Sequence, residues 1–222
     1  TPLTNAAARR VLDKLGISLV SIAAAGCCGA LDHHLAAVDA GRDRVRRNID
    51  AWWPPVEAGA EAIVASASGC GVHIADYGHL LADDPAYASK AARISTLFKD
   101  LAQVLAHEDL GALAVDTNIG KVAVHTPCTL QHGLGEPGLL QDILARAGFA
   151  LAPTSNSHLC CGSAGSYSIL QADISGRLRE RALANLSVEA PDLIVTANIG
   201  CQLHLQSPGA PVRHWIELFD PG

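Results

Sequence analysis

The chain has 222 residues, of which 49% are hydrophobic and 17% charged, and it carries a formal net charge of −6 at pH 7. Such a chain can bury a core, and because it is mildly acidic with no basic stripe, we expect no nucleic acid and no anionic membrane surface as its main partner. Every apolar stretch is far shorter than the ~20 residues that a membrane-spanning helix needs, which predicts a protein with no transmembrane segment.

The first half of the chain alternates helical and strand patterns. Apolar residues at helical spacing predict a helix over 5–15, and Gly16 after it suits the left-handed conformation that often ends a helix. A strand is predicted over 17–23, an amphipathic helix over 41–53 and a buried parallel strand over 62–67.

The second half follows the same order. Helical spacing over 139–147 ends at Gly148, a short strand is predicted over 149–152, and a charged-faced helix over 174–186 precedes a buried strand over 193–197. Helices that alternate with buried strands are typical of α/β folds.

A short cysteine signature occurs once in each half. Cys27-Cys28-Gly29 and Cys160-Cys161-Gly162 each precede, by about forty residues, an apolar run that ends in Gly-Cys-x-x-His, and the matching landmarks lie 131 to 133 residues apart. Agreement in order, spacing and residue type indicates an internal duplication. We predict a first module over 1–115 and a second over 116–222.

The predicted fold is therefore α/β, with two homologous, pseudo-symmetric modules. Each is expected to hold a small parallel sheet with flanking helices, and its cysteine loops should lie at the carboxyl ends of the strands. Ligands of such sheets bind beyond those strand ends, so the topology should bring the cysteines of a module together.

The second module offers a full set of metal ligands. Cys128, the adjacent Cys160 and Cys161, and Cys201 supply four thiols, and His204 follows three positions later. Thiolates are the ligands of iron–sulfur clusters and of zinc. Adjacent cysteines point awkwardly for one tetrahedral ion, which favours a cluster.

The first module offers Cys27, Cys28, Cys70 and His73. The counterpart of Cys128 would fall near position −4, so this site is expected to be incomplete, and His33, His34 or His73 are the candidates to complete it. We predict that the first site is empty or filled by zinc.

Simpler interpretations compete with these. A single Cys-Cys-Gly string is more often packing than ligation, and only its repetition favours a metal site. His125 and His158 flank Cys128 and Cys160 and are interpreted as neighbours of the thiolates rather than as ligands. Taken singly, five other histidines are expected at the surface or at caps rather than as ligands: His33, His79, His107, His132 and His214.

The cysteine content also bears on location. Seven cysteines, an odd number grouped near histidines, do not fit a secreted disulfide framework, and no secretory leader is visible. We expect a reducing, cytoplasmic setting, with peripheral attachment to the inner face of the cytoplasmic membrane left open. The chain has no Met and begins within a helical pattern, so we expect a fragment of a longer protein.

Several strings resemble the cysteine-rich, or CCG, domains of heterodisulfide reductase and, more closely, those of the iron–sulfur subunit of glycolate oxidase. They are NIDAWWP (48–54), ASGCG (67–71), PCTLQH (127–132), SHLCCGSAG (157–165), TANIGC (196–201) and VRHWIE (212–217). The resemblance implies the carboxy-terminal half of a subunit whose other half is ferredoxin-like. It also implies flavin-containing glycolate oxidase subunits as partners, which pass electrons towards the quinone pool.

The chain departs from the broader CCG pattern in two places. The last loop of heterodisulfide reductase looks like Cys-x-x-Cys, whereas here Cys201 is followed at that spacing by His204. The resemblance also implies that close relatives often carry Cys where this chain has Thr126. Ligation by five cysteines is therefore excluded. A [4Fe-4S] cluster on the four thiols, or zinc on three thiolates and His204, both stay open.

Three functions follow from these interpretations. The first is an electron-transfer module of a glycolate dehydrogenase complex, an oxidoreductase in which this chain is not catalytic alone. The second is a zinc-binding structural or assembly module of such a complex. The third is a thiol and disulfide redox module similar to heterodisulfide reductase. No flavin or nicotinamide fingerprint is visible, which agrees with an accessory subunit.

Overall fold

Parallel strands and short helices alternate through residues 2–209 and 211–220, the part of the chain that the computed structural model describes. The helices are α1 (Pro2–Lys14), α2 (Ala30–His34), α3 (Val38–Glu57), α4 (Ser68–Ala75), α5 (Tyr77–Leu80), α6 (Ala88–Leu97), α7 (Leu101–Leu105), α8 (Leu139–Arg146), α9 (Tyr167–Leu170), α10 (Ala172–Leu186) and α11 (Ile199–Leu205). The strands are β1 (Ile63–Ala65), β2 (Phe98–Asp100), β3 (Val122–His125), β4 (Leu151–Ala152), β5 (Leu193–Thr196) and β6 (Val212–His214). Single turns of other helix types occur at Leu110–Ala112, Thr129–Gly133 and Trp215–Phe219.

The described residues divide into two compact units. The smaller unit takes in Val20–Ala65 and Gly69–Asp100. The larger unit takes in the described parts of Thr1–Leu19, Ser66–Ser68 and Leu101–Gly222. The predicted module boundary between residues 115 and 116 stays a prediction, because these units interleave along the chain.

The smaller unit holds a two-stranded parallel sheet. Strand β1 pairs with β2 in the register Ile63 to Phe98 and Ala65 to Asp100. Helices α3 and α6 contact each other, and Val45, Ile49 and Ile94 are fully or almost fully buried in this unit. Burial of such side chains supplies the main force that holds a unit of this size together.

The larger unit holds a four-stranded parallel sheet in the order β4-β3-β5-β6. The two central strands, β3 and β5, are buried along their whole length. Helix α1 packs on the turn Trp215–Phe219, where the indole of Trp215 is fully buried, and Arg10 forms an ion pair with Asp220. Strand β4 lies beside β3 at one edge of this sheet, and the chain then crosses to β5 on the opposite side of β3. The direction of winding therefore reverses between β3 and β5.

The predicted α/β fold with small parallel sheets is confirmed. Helices α1 and α8 end as predicted, because Gly16 and Gly148 have φ values of +78° and +89°, which glycine adopts without the steric cost of a Cβ atom. Four further elements overlap the ranges predicted for them: α3, α10, β1 and β5. No helix among the described residues is both long and apolar enough to cross a membrane.

Two strand predictions are corrected. Residues 17–23 form no strand, because the apolar run covers no buried face and Val20 is 67% exposed. The strand predicted over 149–152 is limited to β4, a two-residue strand at the edge of the sheet. Strand β1 is also less buried than predicted, since Ile63 and Val64 are only half-buried.

Candidate metal centres

The carboxyl ends of β3 and β5 carry the second cysteine motif. Cys128 follows β3 by three residues, and Cys201 lies in α11, which begins three residues after β5 ends. Both strands are parallel neighbours, so these residues share one edge of the sheet. The winding reverses between β3 and β5, and that is where open α/β sheets leave a crevice for ligands.

The four thiols of this motif lie in hydrogen-bonding contact, one with the next. Cys160 contacts Cys128 on one side and Cys161 on the other, and Cys161 also contacts Cys201. Cys161 and Cys201 are buried, whereas Cys128 and Cys160 are half-buried. The loop between β4 and α9 thus brings the adjacent cysteines to the strand ends.

Hydrogen bonds within the group favour the thiolate form of two cysteines. Hydrogen bonds from the Cys128 and Cys161 thiols lower the pKa of Cys160, and the backbone N–H of Gly162 lies 3.3 Å from its sulfur. The Cys161 thiol lowers the pKa of Cys201, whose sulfur also accepts from Asn198 Nδ2 at 3.5 Å. Thiolates are the metal-binding form of cysteine, so this environment favours ligation.

His125, the last residue of β3, lies beside these thiols. Its ligand nitrogen and the sulfurs of Cys161 and Cys201 are all within 4.8 Å of one another. Nδ1 lies 3.0 Å from Thr196 Oγ1, while Nε2 is buried and has no hydrogen-bond partner among the described residues. Burial lowers the pKa of His125 to about 4, so the imidazole is neutral at pH 7.

The two other histidines near this motif have different surroundings. His204 is half-buried, and its Nε2 lies 3.2 Å from Ser175 Oγ, while its carbonyl accepts from Arg179. His158 is exposed, and its carbonyl lies 3.1 Å from Nε2 of His132. His125 is therefore the imidazole that shares a compact group with two cysteines in the described part of the chain.

The glycine of each Cys-Cys-Gly string has the same backbone conformation. Gly29 and Gly162 both have a φ of +93°. A Cβ atom would lie 2.8 Å from the carbonyl oxygen of Gly41 at the first position and 2.6 Å from that of Ser175 at the second. Each glycine thus lets the cysteine loop approach the backbone of a following helix, α3 or α10, which explains the third residue of the signature.

The first motif brings three thiols together in the smaller unit. Cys28, which is buried, contacts the thiols of Cys27 and Cys70, and both of those are exposed. Tyr77 donates its hydroxyl hydrogen to the carbonyl of Cys28 at 2.8 Å, and Asn48 Nδ2 donates to the carbonyl of Cys27 at 3.0 Å. These two buried side chains fix the backbone of the loop.

Three histidines cluster in the same unit. The ring centroids of His33, His34 and His73 lie between 5.7 and 6.1 Å apart. His73 is 5% exposed, and its Nε2 has no hydrogen-bond partner among the described residues. Burial, and then repulsion by His33 and His34, lower the pKa of His73 to about 4. Neutral imidazole is the form that binds transition metals.

A family model for cysteine-rich domains named CCG matches residues 1–75 and 122–206. The chain belongs to this family. The CCG signature thus matches twice, in agreement with the duplication inferred from the two cysteine strings.

Curated relatives extend the comparison. The chain is 50% identical over 221 residues to the glycolate oxidase iron-sulfur subunit of Escherichia coli K12, an alignment that covers 99% of this chain and 54% of that subunit. It is 32% identical over 208 residues to the probable glycolate oxidase iron-sulfur subunit of Bacillus subtilis 168, covering 91% of this chain and 46% of the relative. It is 26% identical to lactate utilization protein A of Geobacillus kaustophilus, covering 95% and 89%. The chain spans about half the length of the two glycolate oxidase relatives, and the predicted resemblance is confirmed.

The donors of the second CCG motif suit a soft metal centre. Four thiols converge there, two of them buried, and a buried imidazole nitrogen beside them has no other partner among the described residues. Thiolate and imidazole ligands fit iron–sulfur clusters and zinc, whereas calcium and magnesium require oxygen ligands. The first motif offers three thiols and a nearby group of imidazoles, a donor set that suits zinc.

Proposed function

We propose that this chain is the electron-relaying part of the iron–sulfur subunit of a glycolate dehydrogenase complex. In this proposal Cys128, Cys160, Cys161 and Cys201 bind an iron–sulfur cluster of the [4Fe-4S] type. The observation that carries it is the unbroken contact among these four thiols at the carboxyl ends of β3 and β5. Identity of 50% to a glycolate oxidase iron-sulfur subunit adds support.

The residues around the thiols suit a redox role. An iron–sulfur cluster bound there would supply one-electron chemistry. The N–H groups of Gly162 and Asn198 donate to the sulfurs of Cys160 and Cys201, and such bonds stabilise the negative charge on the ligands. The buried positions of Cys161 and Cys201 keep water from one side of the centre, while half-buried Cys128 and Cys160 leave the other side open to an electron partner.

The partners follow from the same proposal. Flavin-containing subunits would oxidise glycolate, and a ferredoxin-like domain of the parent subunit would exchange electrons with this chain on the way to the quinone pool. Cysteines free of disulfide bonds fit a reducing compartment, so we place this relay in the cytoplasm at the inner face of the cytoplasmic membrane.

The first motif is proposed to hold zinc instead. Cys27, Cys28 and Cys70 supply three thiols, and His73 has a buried nitrogen with no hydrogen-bond partner among the described residues, close to His33 and His34. Three thiolates and one imidazole form a common structural zinc site. Such a site would hold the fold of the smaller unit without a redox role.

Zinc in the second motif is the alternative, and the sequence-based ligand set for it is three thiolates with His204. A structural zinc there would make the chain an assembly module of the complex and move electron transfer to the ferredoxin-like domain. Nε2 of His204 lies within hydrogen-bond distance of Ser175 Oγ, so only the sequence spacing supports His204 as a ligand.

Metal analysis separates these functions. Iron, zinc and acid-labile sulfide are measured on anaerobically purified protein, together with its visible absorption. We expect about four iron and four sulfide per chain, absorption that dithionite bleaches, and one zinc. Zinc without sulfide would contradict the electron-relay proposal, and iron at equal occupancy in both motifs would contradict zinc in the first.

A further inference from the structure

His125 is a buried polar residue without an assigned role. It ends β3 and lies three residues before Cys128, and its side chain is 5% exposed. Its sequence position gave no sign of ligation, because it belongs to neither the Cys-Cys-Gly strings nor the Gly-Cys-x-x-His strings. Its surroundings nevertheless resemble those of a metal ligand.

The orientation of the ring is fixed by one hydrogen bond. Nδ1 lies 3.0 Å from Thr196 Oγ1, on the neighbouring strand β5, and β3 and β5 pair these two residues in register. Histidines that bind metals almost always use the second ring nitrogen for such a bond, which sets the ring's orientation and tautomer. When Nδ1 donates to Thr196, Nε2 carries a lone pair.

That lone pair has no hydrogen-bond partner in the described part of the chain. Nε2 is buried, and buried polar atoms in native proteins are nearly always paired, so an orphaned one indicates a ligand or ion. The contrast with His204 is direct, because Nε2 of His204 lies within hydrogen-bond distance of Ser175 Oγ.

The distances also fit coordination. Zinc binds sulfur at about 2.3 Å and imidazole nitrogen at about 2.1 Å, so the ligand atoms of one zinc ion lie roughly 3.5 to 4 Å apart, and ligands on different irons of a cluster lie farther apart. The ligand atoms of His125, Cys161 and Cys201 are all within 4.8 Å of one another. The three side chains are therefore close enough together to bind one metal centre.

We propose that His125 Nε2 is a direct ligand of the second metal centre, beside the buried Cys161 and Cys201 and in place of one of the two half-buried thiolates, Cys128 or Cys160. This inference rests on the proposed function, which assigns a cluster to that motif. A neutral imidazole in place of an anionic thiolate reduces the negative charge of the centre. The exchange of thiolates for imidazoles raises the reduction potential of iron–sulfur centres.

The test is nitrogen hyperfine spectroscopy on protein labelled with ¹⁵N-histidine. The cluster is reduced with dithionite and examined by electron–nuclear double resonance in the wild type, in His125→Ala and in the control His204→Ala. We expect a coupling typical of directly bound nitrogen in the wild type and in H204A, and its loss in H125A. An iron-loaded wild type without that coupling, or an H125A protein that keeps it, would overturn the assignment.

Two further measurements keep this test separate from the test of the proposed function. Iron and sulfide contents report whether a cluster is present, whatever the role of His125. If the centre holds zinc, cobalt(II) replaces it, and a visible spectrum that is the same in H125A and wild type would overturn the assignment. His125→Cys restores a thiolate, and we expect it to lower the reduction potential relative to wild type; an unchanged or higher potential would contradict ligation.

Discussion

Gly162→Ala should destabilise the larger unit severely, because two independent costs meet at this residue. Its φ of +93° lies in a region that disfavours a residue with a Cβ atom, at a cost of about 1 to 2 kcal/mol. The added methyl group would lie 2.6 Å from the carbonyl oxygen of Ser175 and 2.9 Å from Cβ of Leu178. Overpacking of this kind costs about 1 to 3 kcal/mol, and we therefore expect a total loss of about 2 to 5 kcal/mol.

Two control variants separate the costs. Gly16 has a φ of +78°, and an added Cβ would meet no described atom within 4 Å, so Gly16→Ala should show only the conformational cost of about 1 to 2 kcal/mol. Gly176 lies inside α10 with no described atom near its added Cβ, and Gly176→Ala should be neutral or stabilise the protein by up to about 1 kcal/mol.

Urea unfolding of the reduced, metal-free chain measures these differences. In a background with Trp52→Phe and Trp53→Phe, fluorescence reports Trp215, which is fully buried in the larger unit. We expect the loss of unfolding free energy to be largest for G162A, smaller for G16A and absent for G176A. A G162A protein that loses no more than G16A would refute the close approach of the cysteine loop to α10.

Three further predictions concern single side chains. Cys161→Ser should remove the second metal centre and lower the melting temperature of the metal-loaded protein, because metal binding is coupled to folding; unchanged metal content and melting would contradict this. His214 is buried, its Nε2 lies 2.7 Å from the carbonyl of Ser66, and burial lowers its pKa to about 4. As the pH falls, the unfolded state therefore binds the proton first. The contribution of neutral His214 to the free energy of unfolding should be fully present above pH 6.5 and should fall by about 3 kcal/mol towards pH 4. Urea titrations that give wild type and His214→Gln the same pH dependence would refute this. His73→Ala should reduce zinc content, measured by mass spectrometry, without loss of iron, whereas equal zinc in both proteins would exclude His73 as a ligand.

The grouping of the cysteines could be predicted from the sequence, because it depends on only two features. A parallel sheet brings the ends of its strands to one edge, and the duplicated strings mark which loops follow those ends. Strand β5 is apolar except for its last residue, Thr196, so hydrophobicity alone predicts its position. Helix ends at Gly16 and Gly148 followed from the conformational freedom of glycine.

Other features depend on contacts that no local pattern reveals. Strand β2 has the sequence Phe98-Lys99-Asp100, which lacks strand periodicity and pairs only because β1 lies beside it. The segment 17–23 is mostly apolar but exposed or only half-buried, since no strand pairs with it among the described residues. In the sequence, His125 is one more residue of the pattern that forms β3. Only the folded chain shows that it lies beside Thr196 and the cysteines of distant loops.

The central claim is that the second CCG motif, and not the first, holds the iron–sulfur cluster. Iron and acid-labile sulfide in anaerobically purified Cys201→Ser and Cys70→Ser test it most directly, because the two residues are equivalent positions of the repeat. We predict that C201S loses iron and sulfide together while C70S keeps both at the wild-type level. Retention of both in C201S, or their loss in C70S alone, would contradict the account.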